Sequence, residues 1–184
     1  DLILEAKTVG IWGIGIIAEA LAKRCKAFDM TVIGITRTPR KLEHFDQICA
    51  YADVLKVVKE LDYLVVLAPY TSENEGIVNA NVFAAMKESA FLINLSRGKV
   101  IDDEALISSL TNGEIAGAAW GVSRLEPLPK LSPLWDLDNV IITPHMGGMS
   151  EAYVKQAMQV IEHNLQAYLE NDFGRMINKV MRYD

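Results

Sequence analysis

The chain has 184 residues, of which 51% are apolar and 23% charged, and it carries a formal net charge of −6 at pH 7. Because a domain of about 150 residues already buries roughly 70% of its unfolded surface, these figures predict one folded domain over residues 1–184 and exclude a disordered chain. The acidic balance also excludes a general nucleic-acid or acidic-membrane surface, while a local site for an anionic ligand stays compatible with it.

Short β-branched runs alternate with longer segments of helical periodicity along the whole chain. This alternation is typical of βαβ units and predicts an α/β fold with a doubly wound parallel sheet. The predicted strands are residues 8–12, 31–35, 47–50, 63–67, 91–95, 115–119 and 140–143. The predicted helices are residues 16–28, 51–60, 80–86, 103–110 and 151–169.

Turn and cap residues stand where these elements should end. Asn112 and Gly113 are predicted to close the fourth helix, and Ser150 is placed to cap the start of the last one. Prolines 39, 69 and 144 follow predicted strands, where the chain must turn and no ladder donor is needed.

The sequence has no segment suited to a membrane or to export. Its longest apolar runs, such as residues 63–69, are much shorter than the roughly 20 residues of a membrane-spanning helix, and residues 1–5 lack the basic start of a secretory signal. The predicted location is therefore the cytoplasm, where Cys25 and Cys49 are expected to stay reduced as small buried apolar side chains. They lack metal-ligand spacing, and no metal site is predicted.

A glycine pattern separates the first predicted strand from the first helix. In this G-x-G-x-x-A sequence, Gly13 permits a tight turn, Gly15 lets the backbone approach a pyrophosphate, and Ala18 lets helix and strand pack closely. Ile16 and Ile17 leave phosphate binding to backbone N–H groups at the helix start. The strand before and the helix after the pattern favour a Rossmann-type dinucleotide site over a merely structural turn.

The end of the second predicted strand bears on the kind of dinucleotide. NAD sites place an acidic residue there, on the ribose hydroxyls. This chain has Thr36 instead, followed by Arg37, Thr38 and Arg40. Guanidinium and hydroxyl groups would bind a 2′-phosphate, which favours NADP over NAD. The alternative is that Arg37 and Arg40 are solvated loop cations.

Three polar residues follow strands in the second half of the chain and suggest acid–base chemistry. Arg97 and His145 stand just beyond strands, on the ligand side of a parallel sheet, and Glu126 lies in a loop. Reduction of a keto acid needs a cation for the substrate's carboxylate, a proton donor for its oxygen, and a carboxylate that orients this donor. Arg97, His145 and Glu126 suit these three roles in turn. Taken singly, each of these three residues could have a purely structural role. For His44 and His163 a structural role is the prediction.

Several ordered motifs carry a family resemblance. They are the glycine pattern and residues 67–71, 93–98, 100–102, 116–119, 126–129, 132–135 and 143–145. On these motifs, residues 8–148 resemble the cofactor domain of the D-isomer-specific 2-hydroxyacid dehydrogenases, in the branch similar to phosphoglycerate dehydrogenase. The resemblance implies transfer of a hydride between a nicotinamide cofactor and a D-2-hydroxy acid or its 2-keto partner, and pairing as a homodimer.

The resemblance also assigns roles to individual residues. It implies that Arg97 binds the substrate, that His145 is the acid–base residue, and that Glu126 supports this histidine. The residues that it implies near the cofactor, besides those of the glycine turn and residues 36–40, are Ala68, Pro69, Tyr70, Leu95, Ser96, Arg97, Gly121, His145 and Gly147.

Three departures from the family pattern limit what the resemblance implies. An arginine or a similar polar residue is frequent in the family's glycine turn, where this chain has Ile16 and Ile17. Gly121 stands where the family usually has an aspartate that holds the nicotinamide carboxamide. Family members also carry a substrate-domain segment before the glycine pattern, whereas this sequence has 12 residues before Gly13. The chain alone is therefore expected to bind dinucleotide and to be incomplete for turnover. Residues 151–184 are predicted to form a helix and tail that return toward the missing substrate domain.

Two hypotheses of different classes remain open at this point. The first is an oxidoreductase domain, favoured by the presence of Arg97, Glu126 and His145 in this order. The second is a module of the same fold that senses NAD(P) or dimerises without chemistry, favoured by Gly121. An unrelated Rossmann enzyme, such as an amino-acid dehydrogenase, would not be expected to keep all three residues.

Overall fold

A computed structural model describes residues 3–179 of the chain. It contains a seven-stranded, all-parallel sheet with the order β3-β2-β1-β4-β5-β6-β7, which confirms the predicted doubly wound α/β fold. The strands are β1 Thr8–Trp12, β2 Thr31–Thr36, β3 Gln47–Ala50, β4 Tyr63–Val66, β5 Phe91–Asn94, β6 Gly117–Trp120 and β7 Val140–Ile142. The strand order reverses beside β1, so the ends of β1 and β4 meet at the switch point where such sheets bind ligands.

Within residues 3–179, five α-helices accompany the sheet; four are shorter than predicted and the fourth along the chain is one residue longer. They are α1 Ile16–Lys26, α2 Val54–Val57, α3 Ala80–Ala85, α4 Asp103–Thr111 and α5 Tyr153–Leu169. The helical stretch predicted over residues 51–60 is confirmed in extent, but only Val54–Val57 is α-helical, between 3₁₀ turns at Tyr51–Asp53 and Val58–Glu60. Valines 54, 57 and 58 of this segment are buried, and packing rather than helix propensity therefore holds it.

Apolar side chains cover both faces of the sheet. One buried cluster includes Trp12, Phe83 and Leu106, and the other joins Val9 and Ile11 to the helix α1. Strands buried on two faces appear in the sequence as continuous apolar runs, which is why β1, β2 and β4 were predicted to within one residue. Cys49 is buried and Cys25 half-buried, both are free, and burial raises the pKa of both thiols.

The two predicted helix caps differ in outcome. Gly113 has a φ of 70° and its N–H donates to the Leu110 carbonyl at 3.4 Å, which confirms the C-terminal cap of α4. The Ser150 cap is wrong: α5 begins at Tyr153 after Ala152, with no side-chain cap. Ser150 lies two residues before the N-cap position, and its carbonyl, not its side chain, accepts the Tyr153 N–H, at 3.0 Å.

The chain divides into two compact units at the His145–Met146 bond. The first holds the sheet and α1 to α4, and the second holds α5 and a 3₁₀ turn at Phe173–Arg175. The last residues of the predicted tail, 180–184, lie outside the described part of the chain. Within residues 3–179, none of the helices has the length and apolar character needed to cross a membrane.

Candidate functional site

The turn between β1 and α1 leaves backbone groups open to a ligand. Gly13 has a φ of 100°, and a Cβ there would lie 2.3 Å from the Ala68 backbone nitrogen, so only glycine fits. A Cβ on Gly15 would meet nothing within 4 Å. The first bond of α1 runs from the Glu19 N–H to the Gly15 carbonyl at 3.0 Å, which leaves the N–H groups of residues 15–18 available for a phosphate. Ile16 and Ile17 are 88% and 71% exposed beside this turn.

The end of β2 presents a paired cation rather than a free one. Thr36 ends the strand, and the exposed Arg37 reaches across to the loop after β4. Its NH1 lies 3.0 Å from Oε2 of Glu73, and its NH2 donates to the Thr71 hydroxyl at 3.2 Å. Thr38 and Arg40 are exposed, and Arg40 lines a separate depression of about 380 Å³ together with Lys41 and Phe45.

A crevice of about 660 Å³ brings half of the predicted site residues together. Its walls come from the start of α1 and from the loops after β4, β5, β6 and β7, at the carboxyl edge of the sheet. The predicted residues that line it are Ile17, Ala68, Pro69, Tyr70, Leu95, Ser96, Arg97, Glu126 and His145. Gly121 lines an adjoining cavity of about 580 Å³, which shares Glu126 and His145 with the crevice. Gly147 lies in the second compact unit.

His145 and Glu126 form a directed hydrogen bond in the crevice wall. His145 Nδ1 lies 2.8 Å from Glu126 Oε2, and the Ser123 N–H donates to Oε1 at 3.0 Å. The hydrogen bond from His145, followed by that from Ser123, holds the pKa of the Glu126 carboxyl below its usual value. Because a carboxylate only accepts, the imidazole carries its hydrogen on Nδ1, and Nε2 is the nitrogen left for a ligand.

The backbone of His145 is held in an uncommon conformation. Its φ is 47°, in the left-handed region that residues other than glycine rarely adopt. The His145 N–H donates to the Gly121 carbonyl at 3.1 Å, so the loop after β6 fixes the start of the loop after β7. Such over-determined strain, of about 1 kcal/mol or more, gathers at ligand sites.

Arg97 stands on a loop tied to the loop of Glu126. The buried Asn94 accepts hydrogen bonds from the Ser96 N–H at 3.1 Å and from its hydroxyl at 2.9 Å, which fixes the chain just before Arg97. The Arg97 NH1 donates to the Ser96 carbonyl at 2.7 Å. A Cβ on Gly98 would lie 2.0 Å from the backbone nitrogen of Arg124, so this loop packs directly on residues 123–124.

A polar network that the sequence did not reveal lies beside the same crevice. The Tyr70 hydroxyl and the Arg124 NH1 each donate to Glu75 at 2.7 Å, and Lys99 Nζ lies 5.3 Å from the centre of the Tyr70 ring. The bond to Glu75 raises the pKa of Tyr70, and the bonds from Tyr70 and Arg124 lower the pKa of Glu75. Glu75 and Arg124 are 49 positions apart, so no local motif could have revealed their pairing.

Comparison with known proteins agrees with this arrangement. The family model of the D-isomer specific 2-hydroxyacid dehydrogenase, NAD binding domain, matches residues 2–147. Glyoxylate reductase of Pyrococcus furiosus is 34% identical over 177 residues, which is 96% of this chain and 52% of that protein.

Solved structures agree as well. A D-isomer specific 2-hydroxyacid dehydrogenase family protein from Aeromonas salmonicida superposes with a TM-score of 0.90 at 30% identity, over 100% of this chain and 57% of that one. A D-isomer specific 2-hydroxyacid dehydrogenase from Xanthobacter autotrophicus, solved in complex with NADPH and MES, gives 0.86 at 32% identity, over 95% of this chain and 71% of that one. The chain spans about half the length of the curated relative it matches. It belongs to the D-isomer specific 2-hydroxyacid dehydrogenases, whose NAD(P)-binding domain it forms.

Proposed function

We propose that the chain binds a nicotinamide dinucleotide and supplies the catalytic residues of a D-2-hydroxyacid dehydrogenase. The observation that carries this proposal is the meeting of Arg97, Glu126 and His145 in one crevice that extends to Ile17 at the start of α1. The open turn at Gly13 and Gly15 fits a pyrophosphate, because its backbone is unshielded and a Cβ at Gly13 would collide with Ala68.

Each of the three side chains has a distinct role in the proposed reaction. Bound in the crevice, the coenzyme supplies or accepts the hydride. Arg97 would bind the carboxylate and the carbonyl oxygen of a 2-keto acid, because its planar guanidinium holds two oxygens at once. His145 would give its Nε2 proton to the carbonyl oxygen as the adjacent carbon is reduced, and take it back in the reverse direction. Glu126, bonded to Nδ1 at 2.8 Å, stabilises the imidazolium and fixes the ring.

NADP is the proposed coenzyme over NAD. Thr36 stands where a carboxylate would repel a 2′-phosphate, and Arg37, Thr38 and Arg40 follow it with groups that bind phosphate oxygens. The Xanthobacter relative was solved with NADPH, which supports the same choice. The substrate class proposed is a small 2-keto acid, and the name of the Pyrococcus relative makes glyoxylate the first compound to test.

Coenzyme titration and turnover test the two halves of the proposal. The purified chain is titrated with NADPH and with NADH, and NADPH is expected to bind more tightly. NADH binding at least about tenfold tighter would contradict the role of Arg37 and Arg40. Turnover of glyoxylate and hydroxypyruvate is then measured for the chain alone and for the chain joined to the substrate-domain segment of a relative.

A second candidate function rests on Gly121. With no side chain, this residue offers nothing to a nicotinamide carboxamide, and an added Cβ would lie 3.1 Å from the Asn94 carbonyl oxygen. The chain would then sense NAD(P) without chemistry. Coenzyme binding with no turnover in the joined protein supports this candidate over the dehydrogenase.

We also propose that the protein acts as a homodimer in the cytoplasm, as the resemblance and the composition imply. Apolar side chains on α5, such as Val154, Ile161 and Leu165, are more than half exposed and favour an association. Sedimentation equilibrium measures the mass, and a monomer at micromolar concentration would contradict the dimer.

A further inference from the structure

The ion pair between Arg37 and Glu73 links the two loops that flank the proposed ribose site. Arg37 follows β2 and Glu73 lies in a 3₁₀ turn, Ser72–Asn74, after β4. NH1 lies 3.0 Å from the Glu73 carboxylate and NH2 donates to Thr71 at 3.2 Å, so one turn engages both terminal nitrogens of the guanidinium. The pair is 50% and 75% exposed, and a ligand can therefore reach it.

The turn that carries Glu73 is held in place by hydrogen bonds of the buried Asn74. Asn74 is 3% exposed, its Oδ1 accepts the Thr71 N–H at 2.7 Å, and its Nδ2 donates to the Pro69 carbonyl at 2.7 Å. Glu75, two residues after Glu73, is bonded to Tyr70 and Arg124 in the crevice. The segment thus presents one carboxylate to Arg37 and another to Tyr70 and Arg124, which line the crevice.

We propose that Glu73 is a coenzyme-selecting residue, whose carboxylate competes with the 2′-phosphate of NADPH for Arg37. This inference rests on the proposed function. A 2′-phosphate on Arg37 has to displace Glu73 or share the guanidinium with it, and two anions at one cation repel each other. NADH brings no charge to this position and leaves the pair intact. Glu73 therefore reduces the ratio of NADPH affinity to NADH affinity that Arg37 alone would give.

Removing the charge of Glu73 tests the competition. Glu73→Gln is expected to lower the dissociation constant of NADPH about three- to tenfold and to change that of NADH less than about twofold. This size is expected because the change removes one exposed ion pair and one charge repulsion. In an Arg37→Gln background, the same Glu73→Gln change is expected to have less than about a twofold effect on NADPH. Calorimetric titration with NADPH and with NADH gives all the constants.

Glu88→Gln is the matched control. It removes the same charge from an exposed residue between α3 and β5, at the opposite edge of the sheet, and is expected to leave both affinities unchanged.

The outcomes separate this inference from the proposed function. If the wild-type chain binds both coenzymes and Glu73→Gln leaves their affinity ratio within about twofold, the selecting role of Glu73 is wrong and the proposed function stands. An equal decrease in the dissociation constants of NADPH and NADH also overturns the competition. So does an effect of Glu73→Gln on NADPH that is as large in the Arg37→Gln background as in the wild-type chain. Failure of the wild-type chain to bind either coenzyme overturns the proposed function and this inference together.

Discussion

The two edges of the parallel sheet use their charged side chains differently. At the amino edge, Asp62 precedes β4, and its Oδ2 accepts the Thr8 N–H at 2.8 Å while Lys87 lies 3.1 Å from Oδ1. Asp46 precedes β3 and accepts the Val32 N–H at 2.8 Å. Both carboxylates satisfy strand N–H groups that the ladder leaves open, and these bonds hold the starts of β1 and β2.

At the carboxyl edge the polar groups satisfy one another and still face a crevice. Among residues 3–179, the Arg97 guanidinium hydrogen-bonds only a carbonyl of its own loop, and His145, with a φ of 47°, hydrogen-bonds Glu126. Arg37 is paired with the exposed carboxylate of Glu73. The contrast indicates that one edge stabilises the fold and the other is prepared for a ligand, as expected of open α/β sheets.

The sharpest test of this contrast is His145→Ala at the carboxyl edge. Loss of the proton donor is expected to reduce turnover of a 2-keto acid about 10²- to 10⁴-fold, while the affinity for NADPH is retained. Turnover is measured in the joined protein, and coenzyme binding in the chain itself. His163→Ala is the matched control, because His163 bonds the Arg175 carbonyl at 2.8 Å within the second unit. Unchanged turnover in His145→Ala would remove the acid–base assignment.

Glu126→Gln tests whether the partner of His145 contributes through its charge. The amide can still accept the Ser123 N–H, so the loop should stay in place, but it cannot stabilise an imidazolium as a carboxylate does. Turnover is expected to fall about 10- to 100-fold with coenzyme affinity unchanged, and Glu88→Gln again provides a charge-matched control. A fall in coenzyme affinity that accounts for the whole loss would mean that Glu126 only supports the fold.

The fold and the crevice differ in how much the sequence alone could predict. Strands such as β1 and β4 are continuous apolar runs between turn residues. Such runs can be recognised in the sequence without knowledge of tertiary contacts. Arg97 and His145 each stand three residues after the end of a strand, β5 and β7, and their place after a strand made them predictable from the sequence. The network of Glu75 with Arg124 was missed because its partners come from loops after different strands.

The pairing of Arg37 was missed for a related reason. Its position after β2 predicted a cation at the ribose site, and nothing local could show that a turn 36 positions later neutralises it. The prediction that Ser150 caps α5 was wrong because residues 151–152 form a turn before the helix begins. The apolar periodicity of a helix does not show at which residue its first turn starts.

Asp62→Ala tests the amino edge, where an effect on stability and not on ligand binding is expected. The change leaves the Thr8 N–H without its acceptor and Lys87 without its partner, and it should lower the free energy of unfolding by about 1–3 kcal/mol. Asp53→Ala is the control, because within the described residues Asp53 pairs only with the exposed Lys56, and its removal should lower the free energy of unfolding by less than about 0.5 kcal/mol. Urea unfolding measures both. A large loss of coenzyme affinity in folded Asp62→Ala would break the division between the edges.

The smallest expected effect is the acid dependence of the same edge. Burial alone would raise the pKa of Asp62, but the Thr8 N–H, Lys87 and Lys7 outweigh it and lower the pKa below its usual value. A carboxyl whose pKa is lower in the folded state contributes stability that is present above its unfolded value of about 4 and is lost as the pH falls through the folded value. The free energy of unfolding should therefore fall more steeply below about pH 4 in the wild-type chain than in Asp62→Ala, so that the two converge in acid. Urea titrations between about pH 3 and 7 measure this, and parallel curves would mean that Asp62 acts through packing and not through its charge.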